Sequence, residues 1–239
     1  MDVDIFIPCF IDQLFPETGF HMVKVLEKAG CRVHYNPAQT CCGQPAFNAG
    51  FQHECRPVAE KFIRDFNNGR PVVIPSASCS GFVKNYYGQM LENSSVHNDW
   101  KSVRSQVYEF SDFLVNRLKV VDFNAALEGR ATYHDSCSGL REIGIKSEPR
   151  VLLAHVRGLE LAEMKKTEDC CGFGGTFAVK YEPISASMGL QKVKHAIDTG
   201  ADYLISTDLS CLLHLQALLQ KQKSNIKIMH LADVLASGW

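Results

Sequence analysis

Short apolar runs alternate along this chain with longer stretches in which apolar residues recur at helical spacing. The runs at 3–7, 32–35, 72–74, 131–134, 159–164 and 203–205 are read as strands, being short and rich in aliphatic, β-branched and aromatic residues. Between them, helical patterns cover 17–29, where Gly30 stops the helix, then 51–66 and 80–91, and in the second half 148–156, 182–198 and 209–220. The segment "IKIMHLADVLASG" adds a closing strand and a short helix. A polar stretch over 92–100 and a helical pattern over 102–118 are expected to join the two halves. Strands alternating with helices imply parallel sheets with helices on their faces, an α/β fold.

The cysteines show that this alternation is written twice. Cys9 is followed after 31 residues by Cys41-Cys42-Gly43, and Cys42 after 36 more by Cys79. Cys137 is followed after 32 residues by Cys170-Cys171-Gly172, and Cys171 after 39 by Cys211. Offsets between copies are 128, 129, 129 and 132, differences that short loop insertions absorb. The text around them repeats too: "DIFIPCF" parallels "ATYHDSC", and "VVIPSASCSGFV" parallels "YLISTDLSCLLHL". The expected organisation is two pseudo-symmetric repeats, 1–100 and 129–239, each a small parallel sheet flanked by helices, with a helical connector at 101–128. Cys31 and Cys55 fall outside the pattern and are read as packing residues.

Composition narrows the chemistry. With 25 Lys+Arg against 26 Asp+Glu the chain has no basic excess for nucleic acid. It begins "MDVDIFIPCF", acidic where a signal peptide is basic, and has no apolar run of the roughly 20 residues that direct membrane insertion needs. A cytoplasmic location is expected. Ten cysteines in such a chain point to metal or redox chemistry rather than to structural disulfides.

In each copy the first and last cysteines stand where a strand ends and a helix begins. That is the carboxyl edge of a parallel sheet, where open α/β folds hold ligands. The CCG loop leaves the second strand and can reach the same edge, so the four sulfurs of a repeat can converge. Two sites, or two halves facing each other, are expected. Structural zinc sites use C-x₂₋₄-C knuckles, and no C-x-x-C occurs here. Adjacent cysteines suit a ligand with several metal atoms, such as an iron–sulfur cluster, and glycine beside them frees N–H groups for its sulfides. Zinc and thiol–disulfide chemistry stay open on spacing alone. His134, in "YHDSC", is a candidate proton shuttle, although a loop histidine often serves its loop alone. Gln44 and Asn48 are candidate hydrogen-bond donors to cluster or substrate, His230 is read as structural, and "GFGG" lacks dinucleotide spacing.

The duplicated spacing, with "TCCGQPAFNAG", "PSASC", "CCGFGGTFAVK" and "IMHLADVL", resembles the cysteine-rich CCG-domain family over nearly the whole chain. That family includes a cysteine-rich component of heterodisulfide reductase and the iron–sulfur component of glycolate oxidase, and the resemblance is closer to its lactate-utilization protein A group. It implies an iron–sulfur subunit of a multiprotein oxidoreductase that oxidises L-lactate to pyruvate. Cys9, Cys41, Cys42 and Cys79 would hold one cluster, and Cys137, Cys170, Cys171 and Cys211 a second, each [4Fe-4S]. Implied partners are a ferredoxin-domain iron–sulfur protein and a further subunit of the lactate-oxidising complex. A component of a heterodisulfide or thiol–disulfide reductase and a zinc-stabilised scaffold are the alternatives. The family pattern ends in C-x-x-C, and this chain has Ser76 and Asp208 where the first cysteine of that pair stands. Either can supply an oxygen ligand or merely start its turn, Asp208 as a helix N-cap.

Overall fold

The computed structural model describes residues 1–239. The first lobe holds β1 (Asp2–Ile5), β2 (Arg32–Tyr35), β3 (Val72–Ile74) and β4 (Val107–Glu109) in one parallel sheet of order β2-β1-β3-β4. The second lobe repeats this with β5 (Ala126–Tyr133), β6 (Arg157–Leu161), β7 (Tyr203–Ser206) and β8 (Lys227–His230), in the order β6-β5-β7-β8. Central strands carry runs buried on both faces: Val72, Val73 and Ile74 are fully enclosed, as are Leu204, Ile205 and Ser206. Helices supply the cover. A cluster of 36 buried residues joins Val3, Met22 and Leu26 of the first lobe to Leu212, Leu231 and Leu235 of the second, so the lobes share a core. A second cluster, of 18, lies around Phe6, Phe62 and Phe82 of the first lobe. No helix is long and apolar enough to cross a membrane.

Two expectations are corrected. The helical pattern over 102–118 is interrupted by β4, which pairs with β3 and completes the first sheet, and it ends in a π-helix, Phe113–Leu118. Three strand residues are too few to break a helical periodicity visibly. The helix expected over 80–91 is two, Ala77–Asn85 and Tyr87–Met90. It follows that "VYEFSDFL" and "IMHLADVL" are equivalent: in both, a short strand at the sheet edge runs into a helix whose N-cap is its last residue, Glu109 or His230. The closing strand and helix thus belong to the repeat.

Glu109 is 1% exposed. Its Oε2 accepts the N–H groups of Ser111 at 2.7 Å and Asp112 at 3.2 Å, while Oε1 has no partner. Burial drives its pKa from 4.5 up to about 8, against the pull of those hydrogen bonds. Between those values the folded state keeps a proton that the unfolded chain has lost. This contribution to stability is therefore intact below pH 4.5 and is lost as the pH rises toward about 8, where the folded carboxyl ionises. Urea unfolding across that window is expected to show the decline in the wild type and its absence in Glu109→Gln; equal slopes would refute it.

Candidate metal centres

Adjacent parallel strands deliver the first and last cysteine of each lobe to one sheet edge. After β1 the chain reaches Cys9, the first residue of helix Cys9–Leu14; after β3 it reaches Cys79 in the first turn of helix Ala77–Asn85. In the second lobe β5 leads to Cys137, at the start of helix Cys137–Glu142, and β7 to Cys211, in helix Leu209–Lys221. The CCG loops follow β2 and β6. Each turns at its glycine, Gly43 with φ +92° and Gly172 with φ +89°, a conformation that L side chains rarely adopt.

The four sulfurs of the first lobe come together: Cys9 and Cys41 lie 3.8 Å apart, and Cys42 and Cys79 3.3 Å apart. Cys41 has both Cys42 and Cys9 as thiol neighbours. Hydrogen bonds from those thiols, with help from the Gly43 N–H at 3.3 Å, hold Cys41 well below the ordinary thiol range. Cys170 is lowered in the same way by Cys137, Cys171 and the Gly172 N–H at 3.4 Å. Cys9 and Cys137 are pushed up by sharing a site with that thiolate. Each lobe thus stabilises one thiolate well, and further deprotonation accumulates negative charge that a bound cation offsets. In each set two sulfurs are buried, those of Cys42 and Cys79 or Cys171 and Cys211, and two are half-buried.

All eight cysteines line one cavity of about 540 Å³ between the lobes, with Gln44, Asn48, Ser138 and Glu142 among its polar walls. Phe10 and Phe173 meet across it edge to face, centroids 5.8 Å apart. Ser76 starts its own turn, accepting the Cys79 N–H at 3.4 Å. Asp208 makes no hydrogen bond to its own helix backbone as N-cap. It reaches the other lobe instead: Oδ2 accepts the Ser78 N–H at 2.9 Å, at the start of helix Ala77–Asn85, and Oδ1 accepts the Ser210 hydroxyl at 2.7 Å. His230 also ties the lobes, its Nδ1 accepting the Ala232 N–H and its Nε2 donating to the Pro75 carbonyl at 3.1 Å. His134 is fully buried and stands behind the residues that line the cavity rather than among them.

Cys31 packs in the shared core. Cys55 has a more specific place than packing: its Sγ meets the Gly43 carbonyl at 3.2 Å and holds the CCG loop. Ser185 does the same for Gly172 at 2.8 Å, a correspondence that the cysteine spacing alone does not reveal. Tyr87 adds a second anchor, donating to the Cys42 carbonyl at 2.7 Å.

The cysteine-rich CCG domain matches residues 3–84 and again 131–216. The chain belongs to the CCG cysteine-rich domain family. Its relatives include Lactate utilization protein A 2 of Bacillus cereus (strain AH820), 40% identical over 242 residues, covering 100% of this chain and 99% of that one. Lactate utilization protein A of Geobacillus kaustophilus (strain HTA426) is 42% identical over 98% of each chain. Among solved structures, a hypothetical protein from Helicobacter pylori matches with a TM-score of 0.64 at 15% identity, over all of this chain and 49% of that one, a likeness of fold. As a CCG protein the chain has donor sets that fit a thiolate-bound metal group: four convergent sulfurs per lobe, backbone N–H groups aimed at sulfur, and an open side on the cavity.

Proposed function

We propose that this chain is the iron–sulfur subunit of a multiprotein oxidoreductase that oxidises L-lactate to pyruvate. Cys9, Cys41, Cys42 and Cys79 hold one [4Fe-4S] cluster and Cys137, Cys170, Cys171 and Cys211 another. The observation that carries the reading is the pair of four-sulfur sets on one cavity, in a chain 40% identical over its whole length to a lactate utilization protein. When bound, such a cluster accepts and returns one electron at a time. The chain's own residues do the rest. Gly43 and Gly172 direct N–H groups at sulfur, Cys55 and Ser185 hold the loops, and Phe10 with Phe173 narrows access of water to the cavity.

Conversion of lactate to pyruvate releases two electrons and two protons. We assign their removal from lactate to a further subunit of the complex, and the next step of transfer to a ferredoxin-domain iron–sulfur partner. Ten free cysteines suit the reducing cytoplasm, where we locate the protein.

A second reading is zinc in each set, favoured by the 3.8 Å between Cys9 and Cys41 sulfurs. Two thiolates on one tetrahedral ion with bonds of about 2.3 Å are separated by about that much. Protein purified without exposure to air distinguishes the two. Brown protein with matching iron and sulfide supports the clusters, whereas colourless protein with stoichiometric zinc overturns them. Deletion of the gene is expected to abolish growth on L-lactate and spare growth on glucose.

A further inference from the structure

The two sites are alike in cysteine and unlike beneath it. Phe6 and His134 are equivalent, each one residue past its strand and three before its cysteine. In the first lobe that position is apolar, the Phe6 ring packing edge to face on Phe62 at 5.0 Å and on Phe66 at 6.0 Å. In the second lobe, Lys192 stands where Phe62 does, seven residues past the loop-holding Ser185 or Cys55. Its ammonium is committed elsewhere, to the carbonyls of Lys166 at 2.9 Å and of Thr167.

His134 is left alone. It is 0% exposed, and neither ring nitrogen has a hydrogen-bond partner. Its backbone is fixed on both sides, the N–H donating to the Ile205 carbonyl at 2.8 Å and the carbonyl accepting the Ser206 hydroxyl at 2.9 Å. From that fixed backbone the ring brings a nitrogen to the sulfurs of Cys171 and Cys211, all within 4.8 Å of one another.

We propose that His134 is a fifth donor of the second site: its imidazole binds metal beside Cys171 and Cys211, giving that site a mixed nitrogen and sulfur ligand set that the first lacks. A buried polar group without a partner is costly, roughly 1–3 kcal/mol, and is rare in folded proteins. A neutral imidazole offers a lone pair that needs a proton donor or a metal. The neighbouring thiols cease to donate once metal has displaced their protons, so the metal itself is the partner that remains. Phenylalanine at the equivalent position shows that the fold does not need a histidine there.

This inference rests on the reading that the cysteines hold metal, and the test separates the two. The full chain, with its histidines labelled with ¹⁵N, is reconstituted with iron and sulfide without air, reduced with dithionite, and examined by pulsed EPR. The expected spectrum has a nitrogen coupling of the size found for a directly bound imidazole, kept in Cys42→Ser and lost in His134→Phe. His134→Phe is expected to weaken iron binding at the second site at least about tenfold. His134→Cys is expected to restore the iron while the coupling stays lost, which separates a lost ligand from a lost fold. Iron at both sites with no such coupling in the wild type, or with the same coupling in His134→Phe, overturns this inference alone. Absence of iron from both sites overturns it together with the cluster reading.

Discussion

Cys171→Ser is expected to strip the second lobe of its metal and leave the first loaded, and Cys42→Ser to do the reverse. Iron per chain then falls to about half in either variant and to near none in the double variant, since each bound metal depends on a complete thiolate set. The effect is large because a serine hydroxyl does not ionise near neutral pH and so cannot replace a thiolate. It is also local, because the close sulfur contacts run within a lobe, Cys42 to Cys79 at 3.3 Å and Cys9 to Cys41 at 3.8 Å. The shared cavity makes the rival outcome concrete. A single group bridging the lobes would be lost entirely from either variant, and that result would replace two sites with one. Folding is a modest concern: the Tyr87 bond to residue 42 uses the backbone carbonyl, and a buried hydroxyl costs roughly 1–3 kcal/mol when unpaired. Iron and sulfide analysis, with circular dichroism on the same samples, decides it. Either single variant is also expected to lose growth on L-lactate if both clusters lie on the electron path.

Much of this arrangement is legible in the sequence. The four cysteine offsets reveal the duplication, and strand-to-helix transitions just before Cys9, Cys79, Cys137 and Cys211 put those residues at a sheet edge. The fourth strand pair is harder to see. "VYEFSDFL" and "IMHLADVL" contain no cysteine, and their N-caps, Glu109 and His230, differ in chemistry while sharing a position. Asp208 illustrates a different limit. Sequence places it at the start of a helix, but which helix it serves depends on the docking of the lobes, and it serves helix Ala77–Asn85 of the other one. The His134 contrast is available in principle, since aligning "DIFIPCF" with "ATYHDSC" sets it opposite Phe6. What the alignment lacks is the orphaned state of the ring, which depends on where Lys192 sends its ammonium.

The CCG glycines carry the second large effect, and the two lobes are expected to answer the same substitution differently. Gly43→Ala meets little: its new Cβ would lie 3.5 Å from Val58 Cγ1, an ordinary contact, so its cost is the left-handed backbone at φ +92°, roughly 1–2 kcal/mol. Gly172→Ala adds a collision to the same strain, with Cβ 2.4 Å from the Ser185 carbonyl oxygen and 3.1 Å from Met188 Cβ. Backbone inside helix Glu182–Ile197 does not yield as a side chain does, so the loop must lift away from the helix. Lifting breaks the 2.8 Å bond from Ser185 to the Gly172 carbonyl and carries Cys170 and Cys171 out of their set. Gly172→Ala is therefore expected to cost more than about 3 kcal/mol in urea unfolding and to lose the second site's iron, whereas Gly43→Ala keeps both sites loaded. Equal iron content and equal destabilisation in the two variants would show that the second loop has room that its contacts deny. The difference originates in the residue that holds each loop: an oxygen at Ser185 draws the glycine carbonyl closer than the larger sulfur of Cys55 does, 2.8 Å against 3.2 Å, and leaves no space for a methyl group.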